Sequence, residues 1–450
     1  MHTTKRRLAF AAASLTFALT TAAVAADRRP PPQPPPPPAA TTDTTLALAS
    51  TTVAGKAIAG VACGVTADGG KVLFTSNIDP LVGTVNLLHP DIFLKNFNGN
   101  GVTRAVTTTS RRLNCLGMTP NANTVVFSAE ATNGKVDTLG NSGVELAILV
   151  QNQTTGQQTR VTPLLSTFAN VSEFEFAGIS DDGVLVAFIA QPTATCSGYD
   201  CTANGPARML LRDLSSGALV NLESQVRFTT VQGRASGNAW LSPSGRTLAF
   251  ASRAAYPQAA VAADKSVVYA FDIASGNVRL ISADAAGLPL TIPGYPLSGP
   301  SFGVQTFLAN SSKIAFFSDF DTSAGPGGVY VKDLATGALD RVLDRNLTSG
   351  DGYRAYLSFS DDGRKVTYLE GSSGGLTYRS LPRVVDLATG ARLNAATLTN
   401  GTVGNGNSYL PPLLSRDGKS VAFDNNSTNL LGGPSPFGGA ESRAYRKLLP

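Results

Sequence analysis

Histidine is nearly absent from this chain of 450 residues; the two present are His2 and His89. His2 falls in a segment that reads as a leader, so the mature protein is expected to keep His89 alone. A Ser-His-Asp triad would have to use His89 as its base, and a site built on several histidines cannot be assembled. Glutamate is also scarce, with seven residues, and Trp240 is the one tryptophan. Four cysteines, Cys63, Cys115, Cys196 and Cys201, have no Cys-His constellation around them, which leaves a zinc reading without support. Charged residues make up 15% of the chain and no basic cluster stands out, so there is no nucleic-acid footprint. Outside the leader no apolar run approaches the ~18 residues of a membrane span. Nor does any long stretch carry a helical period, and the chain is expected to be almost all β.

What the sequence does have is repetition. Ser360 to Tyr368 (SDDGRKVTY) reads as a tight turn followed by a strand: Asp-Gly tolerates positive φ, and Val366 and Tyr368 alternate with polar neighbours. The frame recurs as Thr66 to Phe74, Thr119 to Phe127, Ser180 to Phe188, Ser242 to Phe250 and Ser415 to Phe423, with a copy one residue shorter at Ala309 to Phe316. That makes seven copies, each ending in an aromatic, with starts about 50 to 67 residues apart. A second frame, Asp-Leu or Asp-Ile before a small-residue turn ending in Gly, begins at Asp213, Asp272, Asp333 and Asp386. Looser versions run Lys95 to Gly99 and Gln151 to Gly156. Two turns of this kind imply four strands per repeat. A four-stranded sheet cannot bury both faces alone, whereas seven stacked radially can, which predicts a seven-bladed β-propeller of four-stranded antiparallel blades.

These frames resemble the TolB-type, WD-like β-propeller repeat family, most closely at Ser415 to Phe423. The resemblance covers residues 44–450. Blade one is similar to bacterial extracellular variants at Ser76, Leu81, Val82, Asp91, Ile92 and Phe93. The chain departs from TolB in having seven repeats where TolB has six, and in lacking a separate α/β domain before them. The resemblance implies a fold and little about function, since propellers host many activities. Propeller lyases of the pectate type use histidine ligands, and the histidine count sets this chain apart from them.

Residues 1–26 read as a secretory signal peptide, with Lys5, Arg6 and Arg7 ahead of an apolar stretch and Ala23-Val24-Ala25 as a cleavage site. The expectation is export to the periplasm or beyond. Removing the leader lowers the formal charge from +5 to +2. Residues 27–43, with prolines dominating 30 to 38, form a stiff polyproline linker. Counting strands, blade seven runs out of chain after a strand near Ser442 to Leu448, while a spare strand, Thr45 to Ser50, precedes the first frame. Pairing the two would close the ring and hide an open edge.

Export permits disulfides. Cys196 and Cys201 enclose a short loop suited to a bridge. Cys63 and Cys115 lie three and four residues before their frames, so their side-chain parity differs; they either bridge neighbouring blades or stay as two buried thiols. Glu173 and Glu175 share one face of a strand at i, i+2 and could act as an acid and a base on a glycan, or simply line a solvated channel. Residues just ahead of the frames, among them Asn114, Asn238, Gln305, Arg354 and Tyr356, differ from blade to blade and would gather near the channel. The connection Asp284 to Phe302, containing Tyr295 and four prolines, is long enough to be functional. No cofactor is required. Calcium could use Asp79, Asn86 and Asp91, or Asp319 and Asp321, or Asp424, Asn425 and Asn426, although none has the spacing of a calcium loop. Together these residues point to an exported binding or scaffolding module for an envelope or extracellular protein or glycan. The alternatives are a glycan hydrolase or lyase using channel carboxylates and a purely structural envelope component.

Overall fold

In the computed structural model the described residues run from 43 to 450, apart from 86–89, 137–141, 253–266, 291–305, 319–326, 345–356, 432–440 and isolated gaps of one or two residues. They form seven four-stranded antiparallel sheets around a common axis. The innermost strands are Val61–Val65, Leu113–Met118, Val171–Ile179, Asn238–Leu241, Phe307–Leu308, Ser358–Phe359 and Leu413–Leu414. Blade one continues outward through Lys71–Ser76, Asp91–Asn96 and Gly101–Val106. The described helical content is a single 3-10 turn, Leu165–Thr167.

Blade seven takes its outer strand from the other end of the chain. Leu46–Leu48 pairs antiparallel with Arg443–Leu448, Leu46 opposite Lys447 and Leu48 opposite Tyr445. Ser50 locks the join: its Oγ donates to the Ile58 carbonyl at 2.9 Å and accepts from the Ala444 amide at 3.0 Å. The ring is closed by the strand expected to close it.

The frame has a chemical reason for each of its residues. In blade six the Ser360 Oγ donates to Asp362 Oδ1 at 2.5 Å and accepts from the Lys365 amide at 2.9 Å, while Asp362 Oδ1 accepts from the Arg364 amide at 2.9 Å. The same set recurs at Thr66/Asp68, Thr119/Asn121, Ser180/Asp182 and Ser415/Asp417. The glycine is required by backbone and neighbour together. Gly69 has φ +65°, and a Cβ there would lie 1.8 Å from Ser420 Oγ on blade seven. Gly183, Gly245, Gly363 and Gly418 approach the preceding blade in the same way, so these frames both build their own turns and rest on the blade before. In the second frame the aspartate caps its turn: Asp213 Oδ1 takes the Ser215 hydroxyl and the amides of Ser215 and Ser216, which holds its carboxyl down to about 2. Asn96 and Asn152 do the same work in the looser copies.

Frame-ending aromatics are fully buried on the second strands, and in four blades they face another aromatic on the third. These pairs are Phe74–Phe93, Phe250–Tyr269, Phe316–Tyr330 and Phe423–Tyr445, with ring centroids 5.4 to 5.8 Å apart. Among the described residues there is no central core. Seven apolar clusters instead fill the seven gaps between adjacent blades, two of them flanking blade seven. Polar side chains reinforce these gaps. From equivalent sites on third strands, Gln151, Arg212, Lys332 and Lys447 reach back to carbonyls of the preceding blade or its exit loop: Ala105, Val161, Ala283 and Thr397, at 2.6 to 3.0 Å. Burial lowers the pKa of Lys332 and Lys447, and the carbonyl partners satisfy their ammonium groups.

Candidate functional site

A propeller has two unlike ends, and the direction of each strand decides which residues reach which end. Both kinds of repeated turn join strands at the same end of the blades, with blade seven carrying the first kind alone because its outer strand comes from Leu46–Leu48. The links from second to third strand, and from each blade to the next, leave the opposite strand ends.

At the turn end the second residues of the six frames described there, Ala67, Pro120, Asp181, Pro243, Asp361 and Arg416, ring the axis. Backbone bonds tie successive frames together: the Ala67 amide donates to Pro120 O (2.9 Å), Asp181 to Pro243 O (2.8 Å), Asp361 to Arg416 O (2.8 Å) and Asp417 to Ala67 O (3.0 Å). Arg416 of blade seven then crosses to blade three and grips Asp181 with both terminal nitrogens, Nη2 to Oδ1 at 2.5 Å. Asp361 lies in the field of both. Burial raises its pKa, Arg416 pulls it down, and the charges of Asp181 and Asp362 raise it further. Behind this ring is a cavity of about 230 Å³ touched by every inner strand, through Val65, Met118, Ile179, Leu241, Phe307, Ser358 and Leu414. Trp240 and Arg416 also line it.

Cys63 and Cys115 are joined, with Cα atoms 6.1 Å apart, across the inner strands of blades one and two. A bulge resolves the parity conflict between them. Blade one has an extra residue between Ala62 and Gly64, at Cys63, and blade two one between Cys115 and Gly117, at Leu116. Cys196 and Cys201 face each other in a separate ribbon, Ala194–Ser197 against Asp200–Ala203; their side chains lie outside the described set.

Glu173 and Glu175 sit exposed on the inner strand of blade three, on one side as their spacing requires. Although Glu175 is exposed overall, partial desolvation of its carboxylate by the neighbouring protein raises its pKa, a 2.7 Å bond from Gln191 Nε2 opposes the rise, and the charge of Glu173 adds to it. Asn114 Nδ2 donates to Ser128 Oγ at 3.1 Å. Asn238 lies on the blade-four inner strand opposite Ala251, its side chain undescribed. Gln305, Arg354, Tyr356, Tyr295, His89, Asn86, Asp319 and Asp321 fall outside the described residues.

The other oxygen-rich clusters are engaged internally. Arg104 binds both Asp79 and Asp91 and lies 5.3 Å from the Phe93 ring centre. Asp424 accepts from the amides of Tyr409 and Leu410 and from Ser442 Oγ, with burial raising its pKa; Asn425 and Asn426 oxygens accept from the Ser427 and Asn407 amides. Gly371-Ser372-Ser373-Gly374-Gly375 has the spacing of a nucleophile elbow. Ser373 nonetheless sits in a hairpin, paired with Tyr378, and not at a strand-to-helix turn.

The described part of the blade-one motif is braced by hydrogen bonds and ion pairs. Ser76 Oγ donates to the Ala59 carbonyl at 2.6 Å and accepts from the Ile78 amide at 3.0 Å; Arg104 anchors the two aspartates. Leu81, Val82 and Val85 are left exposed at 38, 68 and 47%. Val53, 59% exposed, joins them through its amide bond to the Pro80 carbonyl at 3.0 Å. Eleven large apolar side chains are exposed among the described residues, and nine lie on links leaving the strand ends opposite the turns; Val220 and Leu448 are the other two.

No family model matches the chain, and no curated protein matches it. Among solved structures it is similar to an oligogalacturonate lyase in complex with manganese, with TM-score 0.50, 14% identity, and coverage of 91% of this chain and 95% of that one. An oligogalacturonate lyase from Vibrio parahaemolyticus gives TM-score 0.53 and 13% identity, covering 90% of each chain. TolB from Acinetobacter baumannii gives TM-score 0.40 and 17% identity, over 74% of this chain and 62% of that one. At these identities the likeness to the two lyases is one of fold.

Proposed function

We propose that this is an exported propeller that binds a protein partner in the envelope or outside the cell, and that it carries no catalytic machinery of its own. The observation that carries the reading is the unequal distribution of exposed apolar side chains. The turn ends are occupied by self-bonded polar frames, whereas the opposite links display nine exposed apolar residues, four of them in the braced projection of blade one. Solvent-exposed apolar groups on a braced support suit partner contact. The leader, the polyproline stem and the Cys63–Cys115 bridge support export. The expected result is that immobilised mature protein captures a partner from its native envelope fraction, and that Leu81→Ser with Val82→Ser lowers capture at least tenfold. Val220→Ser, on an outer strand, should leave capture unchanged. Equal capture by all three proteins would overturn the reading.

A glycan-cleaving enzyme is the second reading, favoured by the raised Glu175 carboxyl beside Glu173 and by the fold-level likeness to oligogalacturonate lyases. Against it, both carboxylates come from one strand, about 7 Å apart by strand rise, with one tryptophan in the chain as a sugar platform. Glu173→Gln and Glu175→Gln are expected to leave capture intact, with no glycan in a broad panel cleaved. Turnover abolished by either substitution would establish the enzyme instead.

A further inference from the structure

Six of the seven frames have the full nine residues, and their fifth position holds Asn123, Val184, Arg246, Arg364, Lys419 and, in blade one, Gly70. In blade six this residue straps the two turns of its blade together, with Arg364 Nε donating to Asp386 Oδ2 at 3.1 Å. Gly70 has no side chain to make such a strap. The space it leaves is a polar basin of about 360 Å³ between the turns of blades one and two. Asp68 and Lys71 form one side, Asn98 of the second turn another, and Pro120 and Asn121 of blade two a third. A Cβ at Gly70 would lie 2.9 Å from both Asn98 Nδ2 and Asp68 Oδ2, so these two groups flank the bare glycine. Its φ is not positive, unlike that of Gly69 beside it. The turn therefore does not demand a glycine at position 70, and what the glycine provides there is room.

The basin presents polar groups that the fold leaves unused. Asp68 Oδ1 accepts from the Thr66 hydroxyl and the Gly70 amide, and Asn121 Oδ1 from the Thr119 hydroxyl and the Asn123 amide. Among the described residues, Asp68 Oδ2, the Lys71 ammonium, Asn121 Nδ2 and the Asn98 side-chain amide bond to no protein group, and no ion pair joins Lys71 to Asp68. One carboxylate and one ammonium thus face the basin and cancel in charge. An anionic ligand would meet Asp68, which the Thr66 and Gly70 bonds hold ionised. A cationic one would meet Lys71. An amino-acid zwitterion would bring three ammonium protons to two open acceptors, Asp68 Oδ2 and Asn98 Oδ1. Hydroxyl groups both donate and accept, so several on one ring satisfy the open carboxylate oxygen and the ammonium and amide donors together.

We propose that the blade-one basin is a binding subsite for a neutral sugar ring, its hydroxyls shared among Asp68, Lys71, Asn98 and Asn121. No aromatic side chain lines it. Affinity then rests on hydrogen bonds made in competition with water, and the expected Kd is about 1–10 mM. The subsite lies at the turn end and does not depend on partner binding at the opposite strand ends.

Ligand-observed NMR titration of the mature protein tests this with the methyl glycosides of glucose, galactose and mannose, and with glucuronate and serine as the anionic and zwitterionic probes. The expected result is saturable binding of at least one methyl glycoside, at least fivefold tighter than glucuronate or serine. The homodisaccharide of that sugar, titrated alongside, separates a glycan chain, which gains further contacts, from a free monosaccharide, which does not; binding of either supports the assignment. Gly70→Arg, which copies blades four and six, should fill the basin and weaken the best glycoside at least tenfold while partner capture persists. Lys71→Met should weaken it at least threefold. The probe series on unmodified protein decides the matter even if a variant fails to fold. No saturable binding by any of the three glycosides, glucuronate or serine binding as tightly as the best of them, or an affinity untouched by Gly70→Arg would overturn the proposal.

Discussion

Deleting residues 43–50 should destabilise the protein by at least ~5 kcal/mol, enough to unfold much of a typical domain whose whole stability is about 5–15 kcal/mol. The segment is short, but it serves two of the seven inter-blade gaps. Leu46, 1% exposed, packs between blades six and seven, and Ala49, fully buried, packs between blades seven and one. Losing a buried leucine costs about 2–5 kcal/mol. Its removal also strips the ladder from Arg443–Leu448 and leaves the Ala444 amide and Ile58 carbonyl without Ser50 Oγ, at roughly 1–3 kcal/mol for each buried group left unpaired. Deleting residues 27–38, by contrast, should move stability by no more than ~0.5 kcal/mol. Urea unfolding of both deletions measures the difference, and equally small effects would mean that the pairing of the termini contributes little.

Replacing Cys63 and Cys115 with serine should cost about 4 kcal/mol, since the bridge closes a sequence separation of 52 residues and the chain-entropy effect grows with loop length. The pair ties blades one and two at their inner strands, next to the blade that completes the ring. Replacing Cys196 and Cys201, which face each other across a ribbon, should cost at most ~2 kcal/mol even with a bridge formed, because so short a loop restricts the unfolded chain little. Melting curves of the two double variants, with and without reductant, measure this. A larger loss from Cys196/Cys201 would contradict the assignment of Cys63–Cys115 as the main covalent brace.

The fold was legible because its turns are chemically self-sufficient. Ser360, Asp362 and Gly363 must occur together for the hydroxyl, carboxylate and positive φ to work, so the frame survives in nearly every blade and can be counted. The closing strand followed from the same count. The disulfide between Cys63 and Cys115 was not decidable, since strand alternation assumes an unbroken register and the bulges at Cys63 and Leu116 break it. Contacts across the axis were also out of reach. Asp181 and Arg416 are 235 residues apart, and their meeting depends on the width of the ring. The signal that could have found them is the second frame position, which holds alanine, proline or asparagine in four copies and a charged residue at Asp181, Asp361 and Arg416. Lys95, Lys332 and Lys447 looked like ordinary strand lysines, although each is at least 92% buried.

The partner-binding account is tested most directly by hydrogen–deuterium exchange on the protein with and without its captured partner. The account predicts slowed exchange at 51–57 and 78–85, the two links that form the blade-one projection, with the turn frames at 66–70, 180–184 and 415–419 unchanged. Protection concentrated on those frames, with 51–57 and 78–85 exchanging as in the free protein, would contradict it.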